Sequence, residues 1–173
     1  MECFSCVDGA LEELRLQGSD AATVTGANGL LKRLKEFDVV LCLFVLQAIF
    51  LQTGPVSRVL QSVDADLSVS MSLLRGCVGD LSEMRNDADS QWKSIVECAS
   101  KFATEHDIEP QLLSNQRKRK KKRLDGELAS DERDAPNLET FKVEVFVKAL
   151  DSVLMQLKDR FSDNNVDIIR EMS

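Results

Sequence analysis

Apolar residues recur along most of this chain at spacings of three and four, the period of an amphipathic helix. The longest stripe, Leu30, Leu34, Phe37, Leu41, Phe44, Ala48 and Leu51, predicts a helix. Val40, Leu43 and Phe50 make its opposite side apolar too. A helix apolar all round is expected to be surrounded by others, so this one is placed at the centre of a bundle. Thr53-Gly54-Pro55 is its expected stop, since glycine tolerates a left-handed cap and proline cannot continue a helix. Pro55 then opens a short helix carrying Val56, Val59 and Leu60.

Upstream, residues 1–8 show little pattern, and Leu11 and Leu14 predict a short helix over about 8–17, ended by Gly18. Asp20 is placed to cap a second helix. Thr23, Val24, Thr25, Gly26 and Gly29 weaken its start, so regular structure is expected mainly from Ala27 onward. Downstream, Ser62 to Asp66 offers capping side chains, and Leu67, Met71, Leu74, Val78 and Leu81 again step by four and three. Gly76 and Gly79 interrupt this stripe, either to allow close packing on the central helix or as plain weak points. Trp92, Ile95, Val96, Ala99 and Phe102 carry an apolar face on to about Glu105.

From about Ile108 to Asn137 the periodicity disappears and charge takes over, so a disordered loop is expected there. The stretch Phe141 to Val147 alternates like a strand at first sight. Val143, Phe146, Leu150, Val153, Leu157 and Phe161 nevertheless keep helical spacing, and Glu144 precedes Lys148 by four, the favourable order for an ion pair. A last helix over 138–161 follows, with Ser162 to Asn165 as its stop. The expected fold class is all-α: an irregular helical bundle with a long disordered charged loop before the last long helix. Residues 1–112 form the bundle core, 113–137 a basic-then-acidic loop and 138–173 a C-terminal helix packing back, all in one domain.

Composition sharpens this picture. Tyrosine is absent and prolines number three, so strand-formers and turn-formers are both scarce. The net charge of −7 hides a division: with the seven consecutive cations of 117–123 set aside, the remaining residues carry −14. Five cysteines are an odd number, and Cys42, Cys77 and Cys98 fall inside apolar helical patterns, where a thiol behaves as a small hydrophobe. A reducing compartment with no disulfide framework is expected. The apolar run Val39 to Leu51 is 13 residues long, against about 20 for a membrane span, which predicts a buried core helix and no membrane association.

Candidate chemistry is sparse. Cys3 and Cys6 have the spacing of half a zinc site, but a structural zinc needs four ligands and the other cysteines lie on separate helices. His106, the single histidine, sits in the polar stretch Thr104-Glu105-His106-Asp107 where a helix ends, a poor setting for a catalytic Cys-His pair. No phosphate-binding glycine loop, nucleophile elbow or paired metal motif is present. The expectation is a protein without enzymatic activity, cofactor, metal or small-molecule substrate. The exception to this blandness is Arg117, Lys118, Arg119, Lys120, Lys121, Lys122 and Arg123. Adjacent cations repel one another and are useless for packing, so they point to an acidic or polyanionic partner: a nuclear-import receptor, or the phosphate backbone of DNA. A solvated linker that aids solubility is the plainer alternative.

The order of several stretches resembles the helical region of hAT-superfamily transposases, particularly the zinc finger MYM-type protein 1-like group. These are Leu60-Gln61, Asp64-Ala65-Asp66-Leu67, Leu81 with Met84-Arg85, and Trp92 with Ile95. The most specific are Phe141-Lys142-Val143-Glu144-Val145-Phe146, Leu150-Asp151, Leu157 and Arg160-Phe161, and the resemblance runs from about Leu30 to Ser162. It implies an all-helical insertion within an RNase H-like domain. That family's metal-binding acidic residues match no carboxylate of this chain. The resemblance thus implies a transposon-derived, non-catalytic, nuclear fragment that binds DNA or a transposase-related protein. The alternative is a helical protein-interaction module unrelated to transposition, presenting a groove to a partner helix.

Overall fold

The computed structural model describes residues 3–18, 20–62, 66–112 and 137–161. These are all-helical, arranged as an irregular bundle: α1 (Cys3–Gln17), α2 (Ala21–Leu34), α3 (Phe37–Leu60), α4 (Leu67–Asn86), α5 (Ala88–Glu105), and a C-terminal rod. The rod consists of α6 (Leu138–Phe141), a π-helical stretch (Lys142–Val147) and α7 (Lys148–Arg160). The expected charged loop, including Arg117 to Arg123, falls almost entirely at 113–136, outside the described residues.

The N-terminal hairpin is more regular than its sequence pattern implied. Helix α1 begins at Cys3, five residues before the expected start, because Phe4 anchors it. Phe4 meets Phe102 edge-on at 5.1 Å and His106 at 4.9 Å, whereas Leu14 on the expected apolar face is 48% exposed. Gly18 ends α1 because the turn is too tight for a side chain there. A Cβ would lie 2.5 Å from the Leu14 carbonyl oxygen and 2.8 Å from a Val24 methyl. Helix α2 starts at Ala21 rather than Ala27, since the Asp20 carboxylate accepts from the Thr23 backbone N–H at 2.8 Å and from its hydroxyl at 2.6 Å. A good cap outweighs the weak formers behind it.

The long stripe Leu30–Leu51 belongs to two helices, not one. The chain turns at Lys35–Glu36, with Glu36 extended, and Arg33 bridges the break through ion pairs to Glu36 and, at 3.3 Å, to Asp38. Helix α3 then runs past the expected stop at Gly54-Pro55 for a further turn and a half, to Leu60. Proline removes one donor, the partner of the Leu51 carbonyl, and Val56 beyond it is buried, so packing holds the last turns. The expected separate helix opened by Pro55 is therefore the end of α3.

Asp66 caps α4, accepting from Ser68 N–H at 2.7 Å and Val69 N–H at 3.1 Å. Met71, Leu74, Cys77 and Leu81 are buried along it. Gly76 and Gly79 have no atom within 4 Å of where a Cβ would stand, so they are plain weak points rather than close approaches. The apolar face expected to continue to Glu105 breaks at Asp87 and resumes in α5 through Trp92, Ile95, Ala99, Phe102 and Ala103. That helix ends with Asp107 in the left-handed region (φ 56°) and with the Ile108 N–H donating to the Ala103 carbonyl at 2.8 Å. Ile108 is itself buried, so the core reaches past the point where periodicity fades.

The rod packs on α4 and α5. Phe146 and Leu150 are fully buried, and Leu154 nearly so. Trp92 stacks on two rings of the rod, Phe141 at 6.0 Å and Phe146 at 5.9 Å. Those phenylalanines are five residues apart, and the π-helix, bonded at i to i+5, brings both to one side. The same extra residue turns Val143 outward to 49% exposure, against its expected place in the stripe.

Candidate functional site: the outward face of the third helix

The residues with chemical potential are dispersed by the fold. Cys3, Cys6 and Cys98 are exposed, Cys42 is half-buried and Cys77 is buried, so Cys98 does not share the core role expected of it. Burial pushes the Cys77 thiol up, with Asp80 adding to the effect. Burial likewise raises Cys42, followed by the charge of Asp38. Among the described residues no group of three or more His, Cys, Asp or Glu is placed to hold a metal ion. His106 caps α5 and packs its ring on Phe102 at 4.3 Å, a packing role that its polar neighbours concealed.

Carboxylates that face a cation serve mostly to fasten elements. Arg85 of α4 donates to both oxygens of Asp151 in α7, at 2.6 and 3.3 Å. Lys142 reaches Asp89 of α5 at 2.8 Å and Glu139 at 2.5 Å. The Lys142 hydrogen bond holds the Asp89 carboxyl below its usual value, and the bonds from Asp89 and Glu139 raise Lys142. Glu144 and Lys148 form the expected ion pair. Arg85–Asp151 and Lys142–Asp89 tie the rod to the bundle, the pairs with Glu139 and Glu144 lie within the rod, and none converges on a cleft.

What the fold leaves open is one side of α3. Its inward side carries Phe37, Leu41, Val45, Ile49 and Val56, all buried. On the opposite side Val39, Leu43, Leu46 and Phe50 follow one another at spacings of four, three and four. Val39 is half-buried, Leu43 is half-buried and still packs on the edge of the core cluster, Leu46 is 44% exposed and Phe50 62%. The helix is thus apolar on two faces but covered on one. The expectation of a helix surrounded by neighbours holds for half of its circumference. By length and composition α3 is also sufficient to cross a membrane: an 18-residue window has a mean hydropathy of 2.0, and 28% of it is buried in the fold. The 13-residue run was too short a measure, because from Val39 to Ser57 the sequence holds 19 residues without a charge.

At the C-terminal end of α3 lies a cavity of about 240 Å³, walled by Val56, Leu60, Leu74, Cys77, Leu157 and Phe161. No charged side chain lines it, and Thr53, Ser57 and Gln61 supply its polar atoms. It can take an apolar side chain but has no group to orient a reacting one.

Comparison with protein-family models, with curated proteins and with solved structures finds no match to this chain. The run Arg117 to Arg123 lies outside the described residues, so nothing places it relative to the outward face of α3.

Proposed function

We propose that this chain is a non-catalytic helical interaction module whose outward α3 face binds a protein partner. The observation that carries the reading is the exposed stripe of Leu46 and Phe50 on a helix already anchored by its other side. Large apolar side chains in register on a rigid helix are what a partner helix takes as anchors, and covering them removes apolar area from water at about 25 cal/mol per Å². A photo-reactive amino acid in place of Phe50 tests it, with the same residue in place of exposed Lys101 as control. Cross-links to protein are expected at position 50 well above the control. Equal yields at the two positions would refute the reading.

The resemblance to hAT transposases implies a second reading, that of a transposon-derived nuclear fragment bound to DNA or to a transposase-related protein, and the seven cations suit it. Here Arg117 to Arg123 form an import address or a phosphate contact. Replacing all seven by Gln should move a reporter fusion from nucleus to cytoplasm, and persistence in the nucleus would dismiss the import role. If about five of them met phosphates, log affinity for DNA would fall with log salt at a slope near −4.5. A nuclease would need acidic residues from another chain, and magnesium with supercoiled DNA gives the direct check: no nicking is expected above buffer.

A further inference from the structure

We propose that the cavity at the C-terminal end of α3 is the docking site of this chain's own segment Val166 to Met172. The site is separate from the outward Leu46–Phe50 face and independent of whether that face binds a protein. Val56, Leu74 and Cys77 are buried walls of the cavity, whereas Leu60 is 39% exposed and Leu157 and Phe161 are half-buried. Its apolar lining is thus only partly covered. An apolar cavity of about 150 Å³ holds a benzene ring. At about 240 Å³ this one has room for one or two aliphatic side chains.

Position selects the occupant. Arg85 pairs with Asp151, while Leu74 and Cys77 share the cavity with Leu157 and Phe161, so α7 runs antiparallel to α4. The chain leaves α7 at Phe161, itself a cavity wall, and heads along α4 towards its start at Leu67. Residues 162–173 lie outside the described residues. Ser162-Asp163-Asn164-Asn165 is a turn-forming sequence, and four residues span at most about 13 Å when extended. Val166 is therefore tethered within reach of the cavity. Such a short tether gives an effective concentration on the order of millimolar, which a separate molecule would have to exceed.

The residue pattern agrees. At 100° per residue Val166, Ile168, Ile169 and Met172 share an arc of about 160°, and Asp167, Arg170 and Glu171 fall together on the other side. One face can fill and cover an apolar cavity while the other stays in water. The segment 113–136 offers no comparable face, since Leu113, Leu124 and Leu128 stand there among charges. No charged side chain lines the cavity, so aliphatic side chains, and not the polar face, are what it accepts. While its own segment is docked, the cavity is closed to any other apolar helix.

Cysteine trapping in the full chain tests this docking, because Cys77 itself lines the cavity. Cys3, Cys6, Cys42 and Cys98 are first replaced by Ser, and thermal melts verify folding. Single cysteines are then placed in the segment and oxidised with copper–phenanthroline. A bond to Cys77 within one chain should form from the fastest of Val166→Cys, Ile169→Cys and Met172→Cys. It should form at least about tenfold faster than from Asp167→Cys or Glu171→Cys, whose side chains point away from the cavity. In the same background without an added cysteine, Ile169→Asp should raise maleimide labelling of Cys77 by about tenfold, since the covering segment is released. Equal trapping rates around the segment, or fastest trapping from Asp167→Cys or Glu171→Cys, would overturn the proposal. So would labelling of Cys77 that Ile169→Asp leaves unchanged in a folded chain. Bonds formed only between two chains would assign the cavity to the segment of a second copy and overturn docking within one.

Discussion

At the scale of single residues, backbone conformation and burial give clear signs. Gly76 and Gly79 sit exposed in the middle of α4 with free space around them. Replacing either by Ala should raise stability by about 0.5–1 kcal/mol, because glycine loses more backbone freedom on folding. Asp107 is the opposite case: it holds a left-handed conformation at the end of α5. Asp107→Gly should also stabilise, by up to about 1 kcal/mol, whereas Asp107→Val should destabilise. Denaturant midpoints at constant slope measure all of these. Trp92 faces the other way energetically. It projects from α5 and is buried against two rings of the rod, and Trp92→Ala should cost about 3–5 kcal/mol through the cavity it leaves. Helical periodicity made Trp92 a core position in the sequence, but gave no hint that Phe141 would be one of its partners. That pairing depends on a π turn whose i to i+5 bonds a simple 3.6 period does not describe.

At the scale of elements, the rod is fastened by packing and by exposed ion pairs that respond to pH. The folded-state Asp89 carboxyl is depressed by Lys142, so its contribution is present above the unfolded value of about 3.9 and is lost as pH falls through the folded one. Lys142 is raised, so its share is complete below about pH 10.4 and fades above its folded value. Lys142→Met should therefore lower the melting temperature at pH 7, and the gap should close when both proteins are melted in acid below the Asp89 titration. A gap unchanged at low pH would assign the loss to the lysine stem rather than its charge. The π stretch makes a second element-scale prediction. Deleting Val143, which is half-exposed, leaves Phe141 and Phe146 four apart, on one face of an ordinary α-helix. Stability should stay within about 1 kcal/mol of wild type, far less than the loss from Trp92→Ala.

For the whole molecule, one apolar cluster joins Phe4 of α1, the inward face of α3, α4, α5 and the rod. A chain cleaved at a protease site inserted between residues 113 and 136 should therefore elute as one particle without denaturant. Separation of the pieces would show that Phe146, Leu150 and Leu154 do not hold the rod by themselves. The same cluster explains why α3 has two apolar faces but buries only one. The four other helices and the rod cover only one side of this 24-residue helix, and the uncovered side is what a partner can use.

The sequence by itself determined the helical class, the Asp20 cap, a cap within 62–66, the turn at Gly18 and most inward positions of α4, α5 and α7. These follow from local bonding and from a period of 3.6, which nearby residues specify. It did not determine where α3 ends, because Gly54-Pro55 is a strong local stop that burial of Val56 overrides. Nor did it determine that α2 and α3 are separate helices, since one stripe runs smoothly across their turn at Glu36. The side of α3 that remains outside was equally beyond it: Val40 and Phe50 are alike in hydropathy, and only neighbouring helices distinguish them. Tertiary packing decided those points because hydrophobic burial is non-directional: an apolar residue carries a tendency to be covered, but no instruction about which surface covers it.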